Sequence, residues 1–205
     1  MLTSSSRSLV LLVTFAAAGC VAPRLAVYQP GLDRPRFTRV NFRPDGGVLH
    51  AANYLAHPST IPVGSPAQVT QWTDKEIRLT VNGSEYRMVP VGLDAHFPTD
   101  EAGMNAFLEK YFVDRREDLA IESLGPVELK DKVLSGVQMR NMTKRQVYAC
   151  LGPPLEVGDG NRALPLTYQE ILQNDKWVYP ERTVALVPVY ATFYFGDGIL
   201  QDQKP

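Results

Sequence analysis

The chain has 205 residues, of which 21 are Lys or Arg and 22 are Asp or Glu, for a net charge of −1. Near-balanced charge offers no basic stripe of the kind that nucleic-acid binding requires, so no nucleic-acid partner is expected. With 44% hydrophobic and 21% charged residues, the composition is that of a globular protein of one ordinary domain or two small ones.

The N-terminus reads as a secretory signal. One cation, Arg7, precedes an apolar run from Leu9 to Ala18, which is too short to span a bilayer as a mature helix. The run ends at Ala17-Ala18-Gly19-Cys20. Small residues directly before a cysteine resemble the lipobox of bacterial lipoproteins, with Ala17 in place of the usual Leu. The resemblance implies cleavage after residue 19 and acylation of Cys20. Several acyl chains would anchor the protein firmly, each buried methylene contributing about 0.8 kcal/mol. Val21 in place of an Asp points to the outer membrane, facing the periplasm, rather than to inner-membrane retention. Without residues 1–19 the chain carries 20 basic and 22 acidic residues. Cys150 is then the one thiol left and cannot form an internal disulfide.

Residues 20–37 hold Pro23, Pro30 and Pro35 with no sustained period, and read as a tether. Residues 38–96 read as a β module. Glu76–Val81 alternates with Ile77, Leu79 and Val81 on one face, Asn82-Gly83 follows, and Ser84–Val89 alternates again. Asn-Gly between two such runs predicts a type I′ hairpin, because both central positions need positive φ. Val48–Leu55 and Ala67–Trp72 are further strand candidates, separated by Asp45-Gly46-Gly47 and Val63-Gly64-Ser65-Pro66 turns. Short strands at this density predict a small barrel or curled sheet. Ile61-Pro62-Val63-Gly64-Ser65 resembles the turn of SH3-like bacterial modules. If such a module binds a ligand, Tyr54, Trp72 and Tyr86 are the candidate contact residues.

Near residue 98 the pattern turns helical, and a second unit is expected over 97–205. Pro98-Thr99-Asp100 supplies a cap, and Met104, Phe107, Leu108 and Tyr111 form a core stripe over 98–112. Two short helices are expected over 126–152. Leu129 and Val133 share a face of the first, and Gly136 stops it. Thr143 and Gln146 form a capping box for the second, with Met142 and Val147 as staple. Gly152 is expected in the left-handed C′ position, and Pro153-Pro154 forbids continuation. Residues 155–174 read mostly as loop. Trp177-Val178-Tyr179 and Val184–Phe195 are strand candidates, and Gly196-Asp197-Gly198 turns the chain toward Ile199-Leu200.

Val133–Gly136, Asn141–Val147 and Leu151–Pro154, followed by Trp177, Tyr179, Phe193, Phe195, Asp197 and Gly198, together resemble the SmpA/OmlA (BamE-like) family of outer-membrane lipoproteins. The resemblance covers about residues 127–200. It implies two helices packed on a three-stranded antiparallel sheet, hence an α+β chain overall. Asn141 stands where the family has Gly, and Asn is the residue that best tolerates positive φ after Gly. The motif residues are caps, turns and core, so they specify structure rather than chemistry.

No catalytic set emerges. His50, His57 and His96 are scattered without metal-ligand spacing, so no metal and no cofactor is expected. Asp94 and His96 would make a base and its orienting carboxylate but lack a nucleophile. Cys150 reads as a buried, inert thiol. The expectation is a non-catalytic outer-membrane lipoprotein that binds an envelope protein, in assembly or scaffolding. The alternative is a periplasmic module that recognises peptidoglycan or an extended peptide at a sheet edge.

Overall fold

The computed structural model of the chain describes residues 34–53, 55, 60–92, 95–119, 126–184 and 187–204. Cys20, Tyr54, His57 and Asp94 therefore lie outside the described residues. The described chain is mixed α+β, with a curled half-barrel sheet, a second sheet and four helices.

The first sheet has six strands: β1 (Arg36–Thr38), β2 (Val48–His50), β3 (Pro66–Trp72), β4 (Ile77–Val81), β5 (Ser84–Val89) and β6 (Phe112–Val113). Their spatial order is β2-β5-β4-β3-β1-β6, antiparallel except for the β2/β5 pair. The β4–β5 hairpin turns through Asn82 (φ 51°) and Gly83 (φ 77°), the two positive-φ positions of the expected turn. Val81 pairs with Ser84 and Leu79 with Tyr86, which sends Ile77, Leu79 and Val81 into the core. Val48–Leu55, expected as one strand, keeps only three residues in β2. Beyond them the backbone leaves the sheet so that Asn53 can bond elsewhere. Arg36 and Phe37, expected at the end of the tether, are sheet residues, with Phe37 opposite Pro66 on one side and Val113 on the other.

Helix α1 (Glu101–Leu108) starts at Asp100, whose side chain accepts from Gly103 N. It is shorter than the 98–112 expected, but the whole stripe Met104, Phe107, Leu108 and Tyr111 is buried. A 3-10 turn covers Arg116–Leu119. Helix α2 (Val127–Leu134) begins after Pro126 and ends at Gly136 (φ 71°). Helix α3 (Lys144–Leu151) carries the expected capping box: Gln146 N donates to Thr143 Oγ1 and Thr143 N to Gln146 Oε1. Such a cap contributes about 1 kcal/mol. The staple residues Met142 and Val147 are both fully buried. Gly152 (φ 80°, ψ −170°) is extended on the positive-φ side rather than left-handed helical.

The second sheet has five strands in the order β11-β10-β9-β7-β8. They are β7 (Glu156–Val157), β8 (Asn161–Arg162), β9 (Lys176–Val184), β10 (Val187–Gly196) and β11 (Ile199–Lys204). Residues 155–174, expected as loop, thus contribute the β7–β8 hairpin and helix α4 (Tyr168–Gln173), which has its own capping box, Thr167 with Glu170. A six-residue helix gives too few turns to display a period, and two-residue strands give no alternation at all.

One face of this sheet carries Trp177, Tyr179, Phe193 and Phe195. The helices pack there: Trp177 Nε1 donates to the Ile171 carbonyl, Tyr179 Oη donates to the Gly152 carbonyl, and the Tyr148 and Trp177 rings lie 6.0 Å apart, edge to face. The turn after α2 runs along β11. Asn141, at φ 67°, takes the left-handed conformation, donates to the Leu200 carbonyl, and lets Leu200 N donate back to Met142 O.

A single hydrophobic core contains residues of both sheets. The segment after β1 bridges them through its backbone and amides. Asn41 is fully buried; its Nδ2 donates to the carbonyls of Val133 and Cys150, and its Oδ1 accepts from Val63 N. Asn53 Nδ2 donates to Asn41 O and Leu151 O. Arg43 reaches the Gly136 carbonyl at 2.6 Å. These bonds run between the first sheet and the helices of the second, across the boundary expected at residue 97.

Candidate interaction surfaces

Among the described candidate contact residues of the β module, neither Trp72 nor Tyr86 is an openly exposed aromatic. Strict alternation along β3 puts Trp72 on the solvent face with Gln68 and Thr70. A register shift between Val69 and Gln71 leaves Thr70 and Gln71 both outward and turns Trp72 inward, where it is 7% exposed. Tyr86 shares the inner face of β5 with Met88 and lies half-buried against the core. Tyr54 falls outside the described residues.

The titratable groups are dispersed. His96 places Nδ1 3.1 Å from Asp74 Oδ2 and Nε2 3.1 Å from Lys75 Nζ, at the exposed turn before β4. This is a base with an orienting carboxylate, but its third member is an ammonium rather than a nucleophile poised for attack. Cys150 is buried, and burial pushes its thiol up to about 12, as expected for an inert core cysteine. Among the described residues no cluster of His, Cys, Asp and Glu could hold a metal, and no helix is long and apolar enough to cross a membrane.

Lys110 is the unusual cation. It is 1% exposed; its ammonium donates to the Leu164 carbonyl and sits 4.9 Å from the Phe107 ring centroid. Burial lowers its pKa to about 8, opposed by the charge of Glu170. The unfolded chain therefore holds the Lys110 proton to higher pH than the folded chain does. Stability should rise with pH as the folded ammonium deprotonates, by about 1 kcal/mol between pH 8 and pH 9. Urea midpoints at the two pH values check this, and Lys110→Met should remove the rise. An unchanged slope in Lys110→Met would assign the titration to another group.

Two surfaces remain open beside the second sheet. The face opposite Trp177 carries Val178, Thr192 and Tyr194, all half-buried, and Tyr190, 39% exposed. The segment that runs along β11 leaves Val137 and Met139 44% and 46% exposed, on either side of Gln138, whose amide bonds Gln203. In the sequence, the alternation of Phe193 and Phe195 with Thr192 and Tyr194 is the local signal that separates the two faces of this sheet.

Neither a protein-family model, nor a curated protein, nor a solved structure matches this chain.

Proposed function

We propose that the chain is a non-catalytic lipoprotein, anchored through Cys20 in the outer membrane and facing the periplasm, that works by binding another envelope protein in assembly or scaffolding. The observation that carries the binding reading is the set of exposed apolar side chains beside the second sheet: Val137 and Met139 along β11, and Tyr190 on the face opposite Trp177. Exposed apolar side chains beside one sheet are where such a contact would form. The alternative, a module reading peptidoglycan or an extended peptide at a sheet edge, draws no support from Trp72, which lies in the core, or from Tyr86, packed against it.

An SmpA/OmlA-like second unit and an SH3-like first unit belong to the same proposal. Support comes from the capping box at Thr143, the left-handed Asn141 and the Asp197-Gly198 turn (φ 52° and 75°) that leads into β11. The appended β7–β8 hairpin and α4 make the second unit larger than the three-stranded family pattern.

The anchor is tested by metabolic labelling with an alkyne fatty acid. The wild type should take up label and Cys20→Ala should not. Equal labelling of the two would remove the anchor and the location with it.

A further inference from the structure

Between α3, α4 and the 3-10 turn lies a groove of about 730 Å³, within the size range of ligand sites. Its apolar lining comes from Val63, Tyr148, Ala149 and Leu172. Helix α4 adds Gln169 and Gln173, four residues apart and so on one helical face. Each amide offers a donor and an acceptor, the pair that a peptide backbone presents in turn.

The charges in the groove are Arg39, Lys144, Arg145 and Asp118. Two of them are committed locally. Lys144 Nζ lies 2.6 Å from Asp175 Oδ1, and Asp118 is held by Arg115 at 2.9 Å. Arg39 stacks on Tyr168, 4.4 Å from the ring centroid, and donates from Nε to the Glu109 carbonyl. Neither contact cancels its charge. Arg145 is exposed and makes no ion pair among the described residues. Two guanidinium groups that make no ion pair among the described residues thus border a trough of mixed polar and apolar lining. Guanidinium forks match carboxylates geometrically.

We propose that this groove binds an acidic segment of a protein partner, its carboxylates on Arg39 and Arg145, its backbone along Gln169 and Gln173, and its apolar side chains against the half-buried Tyr168 and Leu172. The inference rests on the reading of the chain as a binding protein and adds the chemistry of what it binds, at a surface separate from Val137, Met139 and Tyr190.

The test is fluorescence anisotropy of a fluorescein-labelled peptide, Glu-Leu-Glu-Phe-Glu-Leu-Glu, titrated with the full chain in neutral detergent. The same peptide with Lys for each Glu is the control. The acidic peptide should bind at least about tenfold more tightly than the basic one. Arg145→Glu should weaken it by about fivefold or more with an unchanged melting temperature, while Arg78→Glu on the first sheet should leave it unaltered. The proposal is overturned if neither peptide binds, if both bind equally, or if Arg145→Glu binds like the wild type. Displacement of the peptide by phosphatidylglycerol vesicles would also overturn it and assign the groove to a lipid headgroup. Any of these failures leaves labelling at Cys20 and the sheet-face surface untouched, so the two readings fail separately.

Discussion

Gly152→Ala is expected to destabilise the protein by about 4 kcal/mol. Two independent costs meet at this position. The backbone lies at φ 80° and ψ −170°, a region that essentially only glycine occupies, and an L side chain there costs about 1–3 kcal/mol. A Cβ would also sit 2.5 Å from Asn53 Nδ2 and 3.4 Å from Asn53 Cγ, which forces a shift in a packed site at a further cost of about 1–3 kcal/mol. The group displaced is a critical one, because Asn53 Nδ2 donates to Asn41 O and Leu151 O and so joins the first sheet to the end of α3. The Gly152 carbonyl also accepts from Tyr179 Oη. Urea denaturation of the wild type and the variant measures the loss. Asn53→Ala in the same chain should recover part of it, since the two residues share one contact. A loss below about 1 kcal/mol would mean that the helix end can relax away from Asn53.

Asn41→Leu should cost a similar amount, about 4 kcal/mol, by a different route. The side chain is fully buried and uses its carboxamide in three directions: Nδ2 to Val133 O and Cys150 O, Oδ1 from Val63 N. Leucine is close in volume but leaves the Cys150 carbonyl and the Val63 N–H without these partners in the core, while the Val133 carbonyl keeps its bond from Gly136 N. Each unsatisfied buried group costs about 1–3 kcal/mol. Because those groups belong to α2, α3 and the turn before β3, the loss should appear as one cooperative transition at lower urea and not as the melting of one half. Two separated transitions in Asn41→Leu would show that the sheets fold as independent units.

These two positions also show where reading the sequence stops. Local features were legible. Asn82-Gly83 specified both the turn and the register of β4 against β5, and Thr143, Gln146, Met142 and Val147 specified the start of α3, because each motif satisfies its own backbone groups within a few residues. Asn41, Asn53 and Arg43 were not legible as a clasp, since their partners lie from 10 to 109 positions away. Trp72 was misplaced because a single bulge reverses which face a residue occupies, and nothing in Val69-Thr70-Gln71 announces one. Thr167 and Glu170 did carry a readable capping box, but the six-residue helix behind them has no period to confirm it.

The candidate surfaces divide in the same way. Alternation along β10 told apart the packed face of Phe193 and Phe195 from the face of Thr192 and Tyr194. The groove beside α3 was invisible, because Arg39, Asp118, Lys144 and Tyr168 come together only when the first sheet, the 3-10 turn and two helices are assembled.

The central claim, that the protein acts by contact and not by turnover, is tested most directly by complementation of a deletion strain's envelope phenotype with two variants at wild-type abundance. One variant removes the chemistry: Cys150→Ala with His50→Gln, His57→Gln and His96→Gln. The other charges the surface: Val137→Lys, Met139→Lys and Tyr190→Lys. The account predicts that the first variant restores the phenotype and the second does not. Restoration by the second together with failure of the first, both folded and abundant, would contradict it.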